Sequence, residues 1–257
     1  MISSNPRRFA WVSPVMVVLT LAMGLCSGSR AQDGLDAKPA VVPSDEPVDL
    51  FFTYWTHADM ADQDVHLPCP DQPGMVCRVQ PKDVATRRDE ELYSTADMHL
   101  HDPLNPAAVG PYEPGQPLGI TLGDWLLAAG TARLSCDESG KGKVRARFEN
   151  LVPNATYTMW YAWVARPVVP GGFLYADNPI GAENGSENVF RTDDKGNAAF
   201  EATHTQCFAL SNEHTWVVLA VAYHSDGKTY GPWVGPAGQG AHVQIFQMLP
   251  TEEELTR

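Results

Sequence analysis

Between residues 118 and 248 the sequence offers short β-prone runs separated by turn signals, and no amphipathic helix of ordinary length. That pattern restricts this stretch to an all-β architecture. Residues 143–149 alternate strictly: Val144, Ala146 and Phe148 share one face, and Arg145, Arg147 and Glu149 share the other. Residues 157–164 (YTMWYAWV) and 216–223 (WVVLAVAY) are apolar on both faces, which predicts central strands covered on both sides. Residues 131–136 and 241–248 are further strand candidates, and 189–192 and 198–203 flank Asp193-Asp194-Lys195-Gly196-Asn197, a tight-turn composition. About seven short strands over some 130 residues predict one antiparallel β-sandwich, immunoglobulin- or jelly-roll-like, at 118–249. Trp160 or Trp163 is expected near its centre, and 250–257 is expected to be a polar tail.

The N-terminus sets the compartment. Arg7 and Arg8 precede a mostly apolar run from Phe9 to Leu25, and Ser29-Arg30-Ala31 has the small-x-small form of a cleavage site. Residues 1–31 therefore read as a signal peptide cleaved after Ala31, which predicts export to the periplasm or the extracellular space. Ser13 and Pro14 interrupt the run, whereas a membrane anchor needs roughly 20 apolar residues. Lipidation at Cys26 is disfavoured because Leu25, just before it, is not small. No second run is long enough to span a bilayer, so no membrane span is expected after cleavage. The signal contains Arg7, Arg8 and Arg30 and no acid, so its removal takes the net charge from -13 to -16. Such acidity argues against nucleic acid and anionic membrane surfaces as partners.

Cleavage also leaves Cys69, Cys77, Cys136 and Cys207, an even set suited to two disulfides in an oxidising compartment. Of the three possible connectivities, Cys69–Cys77 and Cys136–Cys207 are favoured. The first closes the tight loop CPDQPGMVC, and the second ties two strand ends. Residues 32–47, rich in Pro, Asp and Ala, read as a disordered leader. Residues 48–117 read as an irregular, Pro-rich N-terminal extension packed on the sandwich. Within it, 48–55 (VDLFFTYW) is a possible strand, and a single helical turn is expected near 86–92.

Three segments resemble an exported family. Leu151-Val-Pro-Asn-Ala-Thr-Tyr-Thr-Met-Trp160 resembles the G-L-x-P-N-x-x-Y-T-x-W turn and strand of certain exported bacterial β-sandwich proteins. Gly185-Ser-Glu-Asn-Val-Phe190 is similar to their G-S-x-N-x-F strand. Ala222-Tyr-His-Ser-Asp-Gly-Lys-Thr-Tyr-Gly-Pro232 is similar to their A-Y-H-x-D-G-x-T-x-G-P hairpin. The family carries no assigned activity, so the resemblance implies fold and export and no chemistry. It covers roughly 118–248 and departs at Glu149-Asn150, where such proteins have a small residue and glycine. The P-N-x-x-Y-T element is also similar to that of copper–zinc superoxide dismutase and chordin-type sandwiches. The order and spacing of the histidines do not fit theirs, so no metal ligand is carried over.

Two kinds of site are legible. Phe173 and Tyr175 follow Pro170-Gly171-Gly172, and Tyr230 and Trp233 flank Gly231-Pro232. Aromatic residues in such loops are suited to stacking on a sugar ring or docking a protein. They are the ligand-binding candidates of the leading reading, an exported non-catalytic binding or structural protein. Its expected partner is a glycan or an envelope or extracellular protein, and it needs no cofactor. The alternative is a periplasmic copper or zinc protein. In extended backbone His99 and His101 share a face and are able to ligate one metal, with His224 as a third ligand. His224-Ser225-Asp226-Gly227 reads more simply as a turn in which Asp226-Gly227 takes the positive-φ positions. A hydrolase is the second alternative. It would need two carboxylates, drawn for example from Asp124, Glu183 and Glu187, or a His–Asp pair, converging in a cleft. No catalytic residue is assigned.

Overall fold

The computed structural model describes residues 48–52, 64–99, 109–165, 175–208 and 215–249. The signal peptide at 1–31, the leader at 32–47, His101, Phe173 and the tail at 250–257 lie outside the described residues. The N-terminal strands are β1 (Val48–Phe52), β2 (His66–Pro68), β3 (Val76–Arg78), β4 (Glu91–Thr95) and β5 (Pro114–Thr121). They are followed by β6 (Ala129–Cys136), β7 (Gly142–Glu149), β8 (Thr156–Ala165), β9 (Tyr175–Pro179) and β10 (Val189–Arg191). The last three are β11 (Ala198–His204), β12 (Thr215–His224) and β13 (Ala241–Met248). Two short helices, α1 (Pro81–Thr86) and α2 (Leu122–Trp125), complete the described elements.

All pairings between the named strands are antiparallel. One sheet has the order β1-β6-β7-β11, and a second has β10-β8-β12-β13 with β9 added on β8. Their inward side chains form one core. Leu134, Val144, Phe148 and Phe200 come from the first sheet, and Tyr157, Met159, Leu219, Val221 and Ile245 from the second. Phe190 stacks on Phe148 at 4.9 Å and on Tyr157 at 5.5 Å. The strict alternation of 143–149 appears as alternating buried and exposed side chains along β7. β8 and β12 lie next to each other inside the second sheet, and Tyr157, Met159 and Trp160 are buried, as is every residue from Val217 to Tyr223.

The N-terminal extension is more ordered than its composition suggests. β1 joins the first sheet on β6, and β2, β3 and β4 combine with β5 into a third sheet of order β3-β2-β4-β5. Val65, Leu67 and Leu92 from this segment are buried in the sandwich core. The runs are only 3 residues long in β2 and β3, too short to show a period in the sequence. The expected helical turn at 86–92 lies earlier, at α1. There Pro81 opens the helix and Gln80 with Asp83 forms a capping box, while Glu91 onward belongs to β4.

Both disulfides pair as expected, Cys69–Cys77 with a Cα–Cα distance of 5.0 Å and Cys136–Cys207 with 5.3 Å. Cys136 ends β6 and Cys207 follows β11, so the second bridge spans β7 within one sheet rather than joining the two. The Asp193 turn forms through Asp193 Oδ1, which accepts from the Lys195 and Asn197 amides. It carries the chain from the second sheet to the first and does not close a hairpin. Asn150 and Asn154 hold φ of 57° and 54°. Asparagine tolerates this left-handed region, so neither turn needs a glycine there. No helix of the described residues is long and apolar enough to cross a membrane.

Trp160 does not fill the core, and the side chain of Trp163 lies outside those described. The central indole is that of Trp125 on α2, fully buried in the main core. Trp160 belongs instead to a second cluster with Ala220, Ala222, Val234, Val243 and Phe246. That cluster covers the outer face of the second sheet and builds the cavity described next.

Candidate functional site

Alternation places Trp160 of β8 and Ala220 of β12 outside the main core, and the register shift in the β12–β13 pairing at Val221/Ala222 brings both Val243 and Phe246 of β13 into the same second cluster. The long β12–β13 connection folds back over this face and brings Trp233, Val234, Gly235 and Ala237. Residues 98–99, which follow β4, bring Met98 and His99 to the same place. Together with Asp64 and Asp177 these residues line a cavity of about 300 Å³. Its walls are mainly apolar, and Trp233 is 50% exposed. A larger hollow of about 690 Å³ on the outer face of the first sheet is lined by Arg133, Arg145, Arg147 and Glu201. Phe200 also borders it, but that ring is buried in the main core.

Each wall is held in place. The Trp160 indole donates to Thr158 Oγ1 at 2.7 Å, and that hydroxyl also bonds His224 Nε2 at 2.8 Å. Tyr230 lies 5.5 Å edge-on from Trp233 and 6.0 Å from the His224 ring, and its hydroxyl donates to Asp226. Burial and then the Asp226 carboxylate push the Tyr230 phenol up to about 12. Burial, with a smaller push from His242, brings His224 down to about 4 against the pull of Asp226. Gly227 takes the expected positive φ, 71°.

The loop over the cavity is clamped to the segment after β4. Thr95 N donates to Gly238 O at 2.8 Å, His99 N to Ala237 O at 3.1 Å, and Gln239 Nε2 to Ala96 O at 2.6 Å. Gly238 has φ +74°, and a Cβ there would overlap His99 Nε2. Gly238→Ala is therefore expected to lower stability by about 1–3 kcal/mol. A urea midpoint unchanged from that of the wild type would refute this account of the clamp.

Behind His99 lies a buried polar cluster. Arg78 donates from Nη2 to His99 Nδ1 at 2.8 Å and lies 3.5 Å from Asp64 Oδ1, both partners of this ion pair being buried. A guanidinium only donates, so His99 accepts at Nδ1 and carries its proton on Nε2. His99 stacks on Tyr112 at 4.8 Å. His242 Nδ1 donates to the Asp64 carbonyl at 2.6 Å and its Nε2 accepts from Ser225 Oγ at 2.8 Å. Burial drives His242 below its usual value, opposed by Asp64 and Asp226. His66 is 0% exposed and neither ring nitrogen has a hydrogen-bond partner. It packs 5.2 Å from His99 and 5.5 Å from Tyr112. Burial and then the positive surroundings of His99, Arg78 and His242 hold His66 well below the ordinary histidine value, and only Asp64 opposes them.

The predicted residues divide as follows. Trp233 lines the cavity and Tyr230 braces it. Tyr175 begins β9, its backbone opposite Val164, and Phe173 lies outside the described residues. His99 is a cavity wall, with Nδ1 committed to Arg78 and Nε2 packed against Gly238. His224 bonds Thr158, and His101 lies outside the described residues. Among the described residues no three His, Cys, Asp or Glu side chains form a group able to hold a metal ion. Sequence reasoning missed His66, Arg78, Tyr112 and His242. Asp64 and His242 are 178 positions apart, and no local pattern announces that meeting. One available signal was Arg78, a charged residue in the apolar run Met75–Val79. Comparisons with known protein families, with curated proteins and with solved structures find no match to this chain.

Proposed function

We propose that the protein is an exported, non-catalytic binding module that captures a compact, largely apolar group between Trp160, Trp233 and Phe246. The observation that carries this reading is the aromatic-walled cavity of about 300 Å³ with a half-exposed tryptophan among its walls. Ligand sites are typically concave and apolar with a few placed polar groups, and Asp64, Asp177 and His99 are such groups here. The volume suits a single ring or one branched head group, such as the end of a glycan or a side chain of an envelope protein. Two disulfides and the absence of a spanning helix among the described residues are compatible with work in the periplasm or outside the cell.

The test is a titration of tryptophan fluorescence and ligand-observed NMR with monosaccharides and small aromatic compounds. Saturable binding is expected. Trp233→Ala is expected to weaken it by about tenfold or more, the scale of losing one aromatic anchor, without changing the far-UV spectrum. Failure of the whole panel to bind, or equal binding by Trp233→Ala, would remove the cavity as the site.

A further inference from the structure

The roof of the cavity and one of its walls meet at His99. The His99 amide donates to Ala237 O, and its Nε2 packs against Gly238. Its ring also lies 5.2 Å from that of His66. His66 is fully buried, and neither ring nitrogen has a hydrogen-bond partner. Every element packed on it brings a polar or titratable group. Arg78 of β3 and Tyr93 of β4 are its partners in the third sheet. Tyr112 packs edge-on, His242 of β13 acts on it electrostatically, and Asp64, just before β2, is the one acid that does so. That acid already faces Arg78. An imidazole in such a place has nowhere to put a second N–H unless water reaches it.

From these contacts we infer that His66 is a proton-triggered latch: when it takes up a proton, His99 is displaced, residues 237–239 part from residues 95–99, and the cavity opens to release its occupant. The release rests on the binding reading above, whereas the opening does not. Opening gives His66 the proton affinity of an ordinary histidine, near pH 6.5, so only the open form takes up a proton as the pH falls below that value. Acid therefore favours the open form, by up to about tenfold per pH unit for one such group. The opening is local, because the roof is clamped to residues 95–99 by three hydrogen bonds, whereas β12 lies between two paired strands.

The test is amide hydrogen exchange of the full-length protein without ligand, followed by NMR and corrected for the intrinsic effect of pH. The Thr95 and His99 amides, which donate across the clamp, report its opening. Their protection is expected to fall about tenfold between pH 7.5 and pH 5.5, while the amides of β12 lose less. His66→Leu should abolish the difference, and His66→Gln, which keeps a polar side chain that takes no charge, should do the same. Clamp amides that lose protection only in parallel with β12, or not at all, would overturn the latch. So would an acid response that survives in either variant. The tryptophan titration at neutral pH judges the binding reading separately.

Discussion

Replacing Arg78 by methionine is expected to cost about 3–5 kcal/mol, the range found when one member of a buried ion pair is removed. Arg78 and Asp64 are 1% exposed each, and the guanidinium also supplies the hydrogen bond to His99 Nδ1. Methionine fills much of the same volume, so the loss is electrostatic. A carboxylate stays in a poorly solvated site and an imidazole acceptor loses its donor. Against a typical total of about 5–15 kcal/mol, such a loss would leave the fold marginal at room temperature. Urea denaturation gives the measurement. Asp64→Asn in the same chain should restore part of the loss, because the orphaned charge is then gone. A loss below about 1 kcal/mol for Arg78→Met would mean that the pair contributes as little as a surface one. Because His99 lines the cavity, the same variant should weaken ligand binding before it unfolds the protein.

Acid is the second large perturbation. His66, His204, His224 and His242 all sit below the ordinary histidine value, with burial as the largest cause in each. The unfolded chain takes up protons near pH 6.5 and the native state resists them. Stability is therefore complete above pH 6.5 and falls as the pH drops toward each folded value. For His224, with a native value of about 4, this amounts to about 2 kcal/mol at pH 5 and about 3 kcal/mol near pH 4. The other three act in the same direction. His66 faces Arg78, His99, His242, Asp64 and Tyr112, and a charge on it would be repelled by three of them. The urea midpoint should thus fall steeply between pH 6.5 and pH 4. That window lies above the one in which the exposed Asp137 and Asp193 lose their hydrogen-bonded stabilisation, since both are held below the usual carboxylate value. His66→Leu removes a buried imidazole without hydrogen-bond partners and should flatten the slope. A midpoint that stays level from pH 7 to pH 5 would contradict the neutral state assigned to these histidines.

The sandwich was legible because its signals are local. β7 alternates cleanly, and the strands apolar on both faces, β8 and β12, occupy the interior of the second sheet. Asp193-Gly196 and Asp226-Gly227 turn where their side-chain and φ preferences require. Trp233 and Tyr230 stand out in the sequence for the same reason, as aromatics beside a Gly-Pro turn. The third sheet was not legible. Its order within 48–117 rests on β2 and β3, short strands stabilised by distant partners, such as Tyr93 opposite His66, and by burial in a core built elsewhere. Sequence left open whether Trp160 or Trp163 faces the core, because alternation reports that two faces exist and not which one meets the core.

By itself the sequence determined the main strands of the sandwich, its tight turns, an even set of four cysteines with a favoured pairing, and the acidic character of the chain. Each depends on neighbours or on counting. Only the tertiary structure decided which face of β8 meets the core and that the β12–β13 connection folds back to roof the other. It likewise brought Asp64, His66, Arg78, His99 and His242 together behind one cavity wall. The reason is physical. Burial strongly selects apolar side chains at every strand and so leaves a pattern. A polar group is buried only where distant segments bring it partners or charge, and that condition leaves no periodic trace along the chain.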